Sequence, residues 1–99
     1  MIQSYSIIWS PRAKITFANT LEYLNEEWTI KEIAAFVERT EIVLQHIGKN
    51  PLLYPYSKAA DIHKCVVVKQ VSLFYRVRAD HIELLVFWDN RQNPERLLL

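Results

Sequence analysis

The chain has 99 residues, 51% of them hydrophobic, with three Trp, five Tyr and four Phe: enough for one domain over residues 1–99 and too little for two independent cores. Twelve Lys and Arg against eleven Asp and Glu leave a net charge of +1, which excludes bulk electrostatic attraction as the basis for binding nucleic acid or an anionic membrane. The single glycine, Gly48, excludes phosphate cradles that need several glycines, and the single cysteine, Cys65, cannot form an intrachain disulfide.

In chain order, Tyr5 to Trp9 is short, apolar and aromatic, and reads as a strand. It runs into Ser10-Pro11, where Ser can cap a helix and Pro fits the first helical position because its missing N–H would be unpaired there anyway. Phe17, Leu21, Leu24 and Trp28 then recur at helical spacing, with Arg12, Lys14, Glu22 and Glu26 elsewhere on the wheel. Thr29 and Glu32 have the spacing of a capping box, so a second helix starts there. Its apolar stripe is Ile33, Phe36, Val37, Val43, Leu44 and Ile47, with Thr40 on the same face. Gly48 is expected to close this helix as the residue just past its end, with Pro51 following. The two helices should form an antiparallel hairpin whose apolar faces need a sheet to cover them. Lys49 to Asp61, with Pro51 and Pro55, reads as a long loop.

From Ile62 the period changes to that of strands. Ile62 to Val68, Val71 to Arg78 and His81 to Trp88 are rich in β-branched and aromatic residues and are separated by Lys69-Gln70 and Ala79-Asp80. Three consecutive antiparallel strands are expected, and the fold class is α+β: an N-terminal strand, then a helical hairpin packed on one face of an antiparallel sheet whose last three strands form a meander. Strict alternation puts Val71, Leu73, Tyr75 and Val77 on one face, with Ile82, Leu84, Val86 and Trp88 beside them. The other face then carries Ser72, Phe74, Arg76 and Arg78 with Glu83, Leu85, Phe87 and Asp89. A two-residue turn at Ala79-Asp80 pairs Arg76 with Glu83 and Phe74 with Leu85. This second face has no helix left to cover it, and two Phe and a Leu adjacent on an open face point to a docking surface. The plain alternative is that the tail from Gln92 to Leu99 folds back over it.

His46, His63 and His81 have no metal-ligand spacing and no partner cysteine, so no metal or cofactor is expected, and no small-molecule ligand. Cys65 lies among apolar neighbours, where a packed inert thiol is the ordinary reading. The six glutamates of residues 1–48 fall on the helices as solvated surface. Residues 49–99 carry eight basic against five acidic groups, so the sheet half is mildly basic. Lys64, Arg76, Arg78, Arg91 and Arg96 could make a phosphate-contacting surface, but strand solubility and pairing with Glu83 explain them more simply. No uninterrupted apolar run exceeds five residues, the length of Leu84 to Trp88, far short of a bilayer span, and the first residues carry no basic run. No membrane association is expected, and a cytoplasmic location is.

The order of these elements, together with Trp9-Ser10-Pro11-Arg12-Ala13, Asn50-Pro51, the block Val71 to Val77 and the block Ile82 to Gln92 with its Phe87-Trp88-Asp89-Asn90-Arg91-Gln92, resembles the RelE/ParE superfamily of toxins from bacterial type II toxin–antitoxin systems. Members are often labelled plasmid stabilisation proteins. The resemblance covers nearly the whole chain and implies a growth-inhibiting toxin neutralised by a cognate antitoxin wrapped around it.

Members divide by target. RelE-like toxins are ribosome-dependent mRNA endoribonucleases that use basic residues on the sheet and near the C-terminus, often with a late Tyr or His. ParE-like toxins inhibit DNA gyrase by protein–protein contact. The resemblance places Lys64 and Arg91 at positions where cleaving members carry basic residues, and Arg76 could join them as a third cation. Ser72 stands where cleaving members tend to carry Arg, and the chain ends Leu97-Leu98-Leu99 with no late Tyr or His. RNA cleavage needs a group to take the 2′-OH proton, one to protonate the leaving oxygen and cations around the phosphate. With the base missing, the expectation is a ParE-like inhibitor first, a RelE-like nuclease second and a degenerate antitoxin binder third. The antitoxin is expected on the open face, at Phe74, Arg76, Leu85 and Phe87.

Overall fold

Ser10 starts the first helix as its sequence position predicts: its Oγ accepts a hydrogen bond from the Ala13 N–H at 3.0 Å, with Pro11 in the first turn. The structure, a computed structural model, describes residues 5–93 and 96–97. The first strand is β1 (Ser6–Trp9), and the helices are α1 (Pro11–Glu27) and α2 (Ile30–Lys49). The capping box at the head of α2 forms in full, the Glu32 N–H donating to Thr29 Oγ1 and the Thr29 N–H to Glu32 Oε1. The remaining strands are β2 (Tyr56–Ser57), β3 (Ile62–Val68), β4 (Val71–Val77) and β5 (His81–Asp89). They lie in one sheet with the order β1-β5-β4-β3-β2.

The meander β3-β4-β5 is antiparallel, as expected. Two features of the sheet differ from the expectation. β1 joins the far edge parallel to β5, from Ser6 opposite His81 to Trp9 opposite Leu84, so the sheet is mixed. Parallel neighbours need a long crossover, and here both helices and the other three strands intervene between the two. Within Lys49–Asp61, Tyr56 and Ser57 pair with His63 and Ile62 as a short edge strand, so that segment is not wholly loop.

Gly48 does not end α2. The helix continues to Lys49, Asn50 is its cap, and no glycine has positive φ. Basic His46 and Lys49 in the last turn suit the negative end of the helix dipole and favour its continuation. Gly48 is instead the point where the chain entering β1 lies against α2: its carbonyl accepts from the Tyr5 N–H at 2.8 Å.

A larger correction concerns β5. Arg76 does pair with Glu83, but Phe74 pairs with Val86 and Tyr75 with Leu84, leaving Leu85 as an extra residue in the ladder. A bulge of one residue reverses which face every later side chain takes. Ile82 and Leu84 therefore face the helices as expected, but so does Phe87, while Val86 and Trp88 turn to the helix-free face. Phe87 becomes the centre of an aromatic cluster, with ring centroids 5.4 Å from Trp9 and 5.0 Å from Phe17, and Phe17 stacks on Phe36.

The bulge has a physical partner in α1. β1 covers only residues 81–84 of β5, so the second half of β5 would be a bare edge. Ser10 Oγ donates to the Leu85 carbonyl at 3.1 Å, and the Phe87 N–H donates to Thr16 Oγ1 at 3.0 Å. The backbone groups that no strand can reach are thus satisfied by two hydroxyls of the helix.

Candidate functional site

The core between sheet and helices is closed by Ala13, Leu24, Phe36, Val43, Ile47, Cys65, Leu73, Tyr75, Ile82, Leu84 and Phe87. Burial pushes the Cys65 thiol pKa above its usual value, which keeps it protonated and unreactive. Tyr75, also buried, donates its hydroxyl to the Pro51 carbonyl at 2.8 Å, and burial raises its pKa further. His63 stacks on the Tyr75 ring, and its Nδ1 is 2.9 Å from the Tyr54 carbonyl. These groups fasten the 50–61 segment to the sheet.

The opposite, helix-free face carries a second cluster, Ile62, Phe74 and Val86, with Leu85, Trp88 and Leu97 packed against it. Leu97 shows that the tail does reach this face, while the terminal Leu98 and Leu99 lie outside the described residues. Ile8 and Val66, whose sequence neighbours pack into the helix-side core, are 51% and 53% exposed.

The structure does not gather the three candidate cations into one group. Lys64 is opposite Phe74 in the ladder and lines a cavity of about 110 Å³ with Phe74, Trp88, Asn90 and Gln92. Arg76, two positions along β4, shares that face but is held down, its Nε donating to the Asp61 carbonyl at 3.0 Å and a terminal nitrogen to the Ala60 carbonyl at 3.2 Å. Arg91 lies round the end of the sheet on the α1 side. It lines a cleft of about 300 Å³ with Tyr23, Gln70, Asp89 and Gln92 among its walls.

Arg91 is clasped on two sides. Its Nε and one terminal nitrogen donate to the two Asp89 carboxylate oxygens at 3.1 and 2.8 Å, and its guanidinium carbon stands 4.6 Å from the Tyr23 ring centroid. The hydrogen bonds from Arg91 hold the Asp89 carboxyl below its usual range, and those with Asp89 and then Tyr23 keep Arg91 more firmly protonated. Arg78, by contrast, makes only a 3.4 Å contact with Glu83 across the turn.

Sequence reasoning named Trp88, Asp89, Asn90 and Gln92 only as strand residues or as part of the block that carries the resemblance, and gave neither them nor Tyr23 a role at the site. Asn90 joins the exit of β5 to the β3–β4 turn: it donates from Nδ2 to the Lys69 carbonyl at 3.1 Å and accepts from Ser72 Oγ at 2.8 Å. Ser72 is thus a buried structural hydroxyl. Neither cavity holds an imidazole, and the one carboxylate, Asp89, is paired with Arg91. Among the described residues, the two cavities supply recognition chemistry, apolar surface with isolated donors, and no unpaired carboxylate; outside them, the Asp61 carboxylate lies 3.9 Å from Arg76 Nε and accepts from the Tyr56 hydroxyl.

No helix of the described residues is long and apolar enough to cross a membrane. No protein-family model and no curated protein matches this sequence. Solved structures do. The YoeB dimer from Staphylococcus aureus is similar at 19% identity over 84% of this chain and 93% of that one, with a TM-score of 0.57. The YoeB–YefM complex from Staphylococcus aureus is similar at 19% identity over the same shares, with a TM-score of 0.55. At this identity the likeness is one of fold.

Proposed function

We propose that this chain is the toxin of a type II toxin–antitoxin module, neutralised by a cognate antitoxin that docks on the helix-free sheet face, and that it acts by protein contact as a ParE-like inhibitor of DNA gyrase. The toxin part of the reading is supported by the fold likeness to YoeB, a RelE-like toxin whose solved complex holds YefM. The mode of action rests on one observation: among the described residues Lys64, Arg76 and Arg91 occupy three different environments, and the carboxylates beside two of them are already engaged, Asp61 near Arg76 by the Tyr56 hydroxyl and Asp89 by Arg91 itself. Protein inhibition needs a shaped, partly apolar surface and no proton transfer. Arg76 and Leu85 remain candidates for antitoxin contact, whereas Phe74 is only 7% exposed in the cluster that Leu97 packs against, and Phe87 is enclosed on the other side of the sheet.

A second reading, the RelE-like ribosome-dependent endoribonuclease, is favoured by YoeB itself being RelE-like. The purified chain, added to a gyrase supercoiling reaction and to a translation reaction, separates the two. Supercoiling should stop and translation should continue. Cleaved mRNA with gyrase unaffected would replace the first reading with the second, and inactivity in both together with antitoxin binding would mark a degenerate toxin. No cofactor, metal or membrane is part of either mechanism.

A further inference from the structure

The cavity beside Lys64 is separated from the Arg91 cleft by a shared wall, since Trp88 and Gln92 line both. The Trp88 indole Nε1 is buried and has no hydrogen-bond partner among the described residues. Such a group costs free energy until an acceptor arrives. Lys64 and the Gln92 side chain also line the cavity and make no side-chain hydrogen bond or ion pair among the described residues. Asn90, in the same wall, is anchored by Ser72 and Lys69, so this side of the cavity is rigid.

We propose that this cavity receives a single carboxylate, the Asp or Glu side chain of the protein segment that covers the helix-free face, with apolar residues on either side of it. The inference rests on the antitoxin-bound reading above and gives that partner its chemistry. One charge is expected because Lys64 is the one cation among the described residues that line this cavity: Arg76 is tied to two backbone carbonyls and Arg91 lines the neighbouring cleft. A phosphodiester chain brings a charge with every residue and is met by rows of cations, whereas here Lys64 shares the cavity with Phe74, Trp88, Asn90 and Gln92, none of them charged. About 110 Å³ accommodates a carboxylate and excludes a nucleobase with its sugar. The flanking apolar residues would lie over Val66 on one side and Leu85 on the other.

The test uses the full chain, labelled with ¹⁵N, and two probes, acetyl-Val-Glu-Leu-amide and acetyl-Val-Gln-Leu-amide, at millimolar concentration. The glutamate peptide should move the Trp88 indole N–H resonance saturably and leave those of Trp9 and Trp28 in place. The glutamine peptide should bind about tenfold more weakly or worse, the worth of one charge-assisted hydrogen bond. Lys64→Gln, an exposed position that leaves the core intact, should remove that preference. Equal responses to both peptides, or a stronger Trp88 response to an oligouridine, overturn the assignment. Growth arrest on expression is scored in parallel. Arrest without a glutamate preference overturns the cavity assignment alone, and a glutamate preference without arrest or antitoxin binding overturns the toxin reading beneath it.

Discussion

Arg91 is the side chain on which a carboxylate and an aromatic ring converge, and its position was legible only in part. Its place after the last strand is visible in the sequence, but its partners are not: Tyr23 is on α1, remote in the chain, and Asp89 reads as one more polar strand residue until the bulge fixes its direction. Growth arrest should therefore fall when Arg91→Ala removes the clasp, and persist in Arg78→Ala, whose one ion pair among the described residues is the 3.4 Å contact with Glu83. Equal protein levels are the control, and the opposite order of effects would refute the site. The clasp also has a pH signature. Asp89 is held below its ordinary 3.8, so its contribution to stability is complete above that value and is lost as pH falls through the lower, folded-state value. Asp89→Asn should flatten the decline in urea stability below about pH 4. An unchanged decline would assign the acid sensitivity to other carboxyls.

At the scale of elements, the local signals served the helices well and the strands less well. Caps act within a few residues of sequence, and the Ser10 cap and the Thr29–Glu32 box form as written. Gly48 misled because a glycine near a helix end ordinarily marks a left-handed residue, whereas here it remains helical. A Cβ at Gly48 would meet Ile7 Cδ1 and the Tyr5 carbonyl at 3.7 Å, ordinary contact distance. Gly48→Ala should thus raise stability by about 0.4–1 kcal/mol in urea denaturation, by restricting the unfolded chain. A loss of stability would mean that the approach of β1 needs the missing methyl. In β5 the failure has a different cause. Leu84 to Trp88 is apolar throughout, so alternation carries no information about which residue is doubled, and the bulge is set by α1 hydroxyls distant in sequence. Phe87→Glu tests the corrected face: a charge placed between Trp9 and Phe17 should abolish cooperative thermal unfolding. A folded Phe87→Glu protein would restore Phe87 to the open face.

For the molecule as a whole, the class of fold was readable from one change of period near Ile62, while the parallel edge was not, because pairing β1 with β5 is a choice between sheet edges that no local pattern encodes. That choice determines what remains uncovered. With both helices on one side, the helix-free face is shielded among the described residues by the tail, and Leu97 reaches the cluster of Ile62, Phe74 and Val86. Deleting residues 97–99 should lower the melting temperature by several degrees, since about 1 kcal/mol shifts a domain of this size by roughly 4–8 °C. The cover is incomplete, because Val66 stays 53% exposed on β3. Val66→Glu therefore separates stability from binding. An exposed strand position tolerates the carboxylate with little loss of melting temperature, yet an antitoxin laid across this face would bury that charge beside its own acidic residue, with Lys64 the one cation lining the cavity among the described residues. Co-purification with the cognate antitoxin should fail for Val66→Glu while its melting temperature stays near that of the parent. An antitoxin that still co-purifies would have to dock elsewhere, along the outer surface of the helical hairpin.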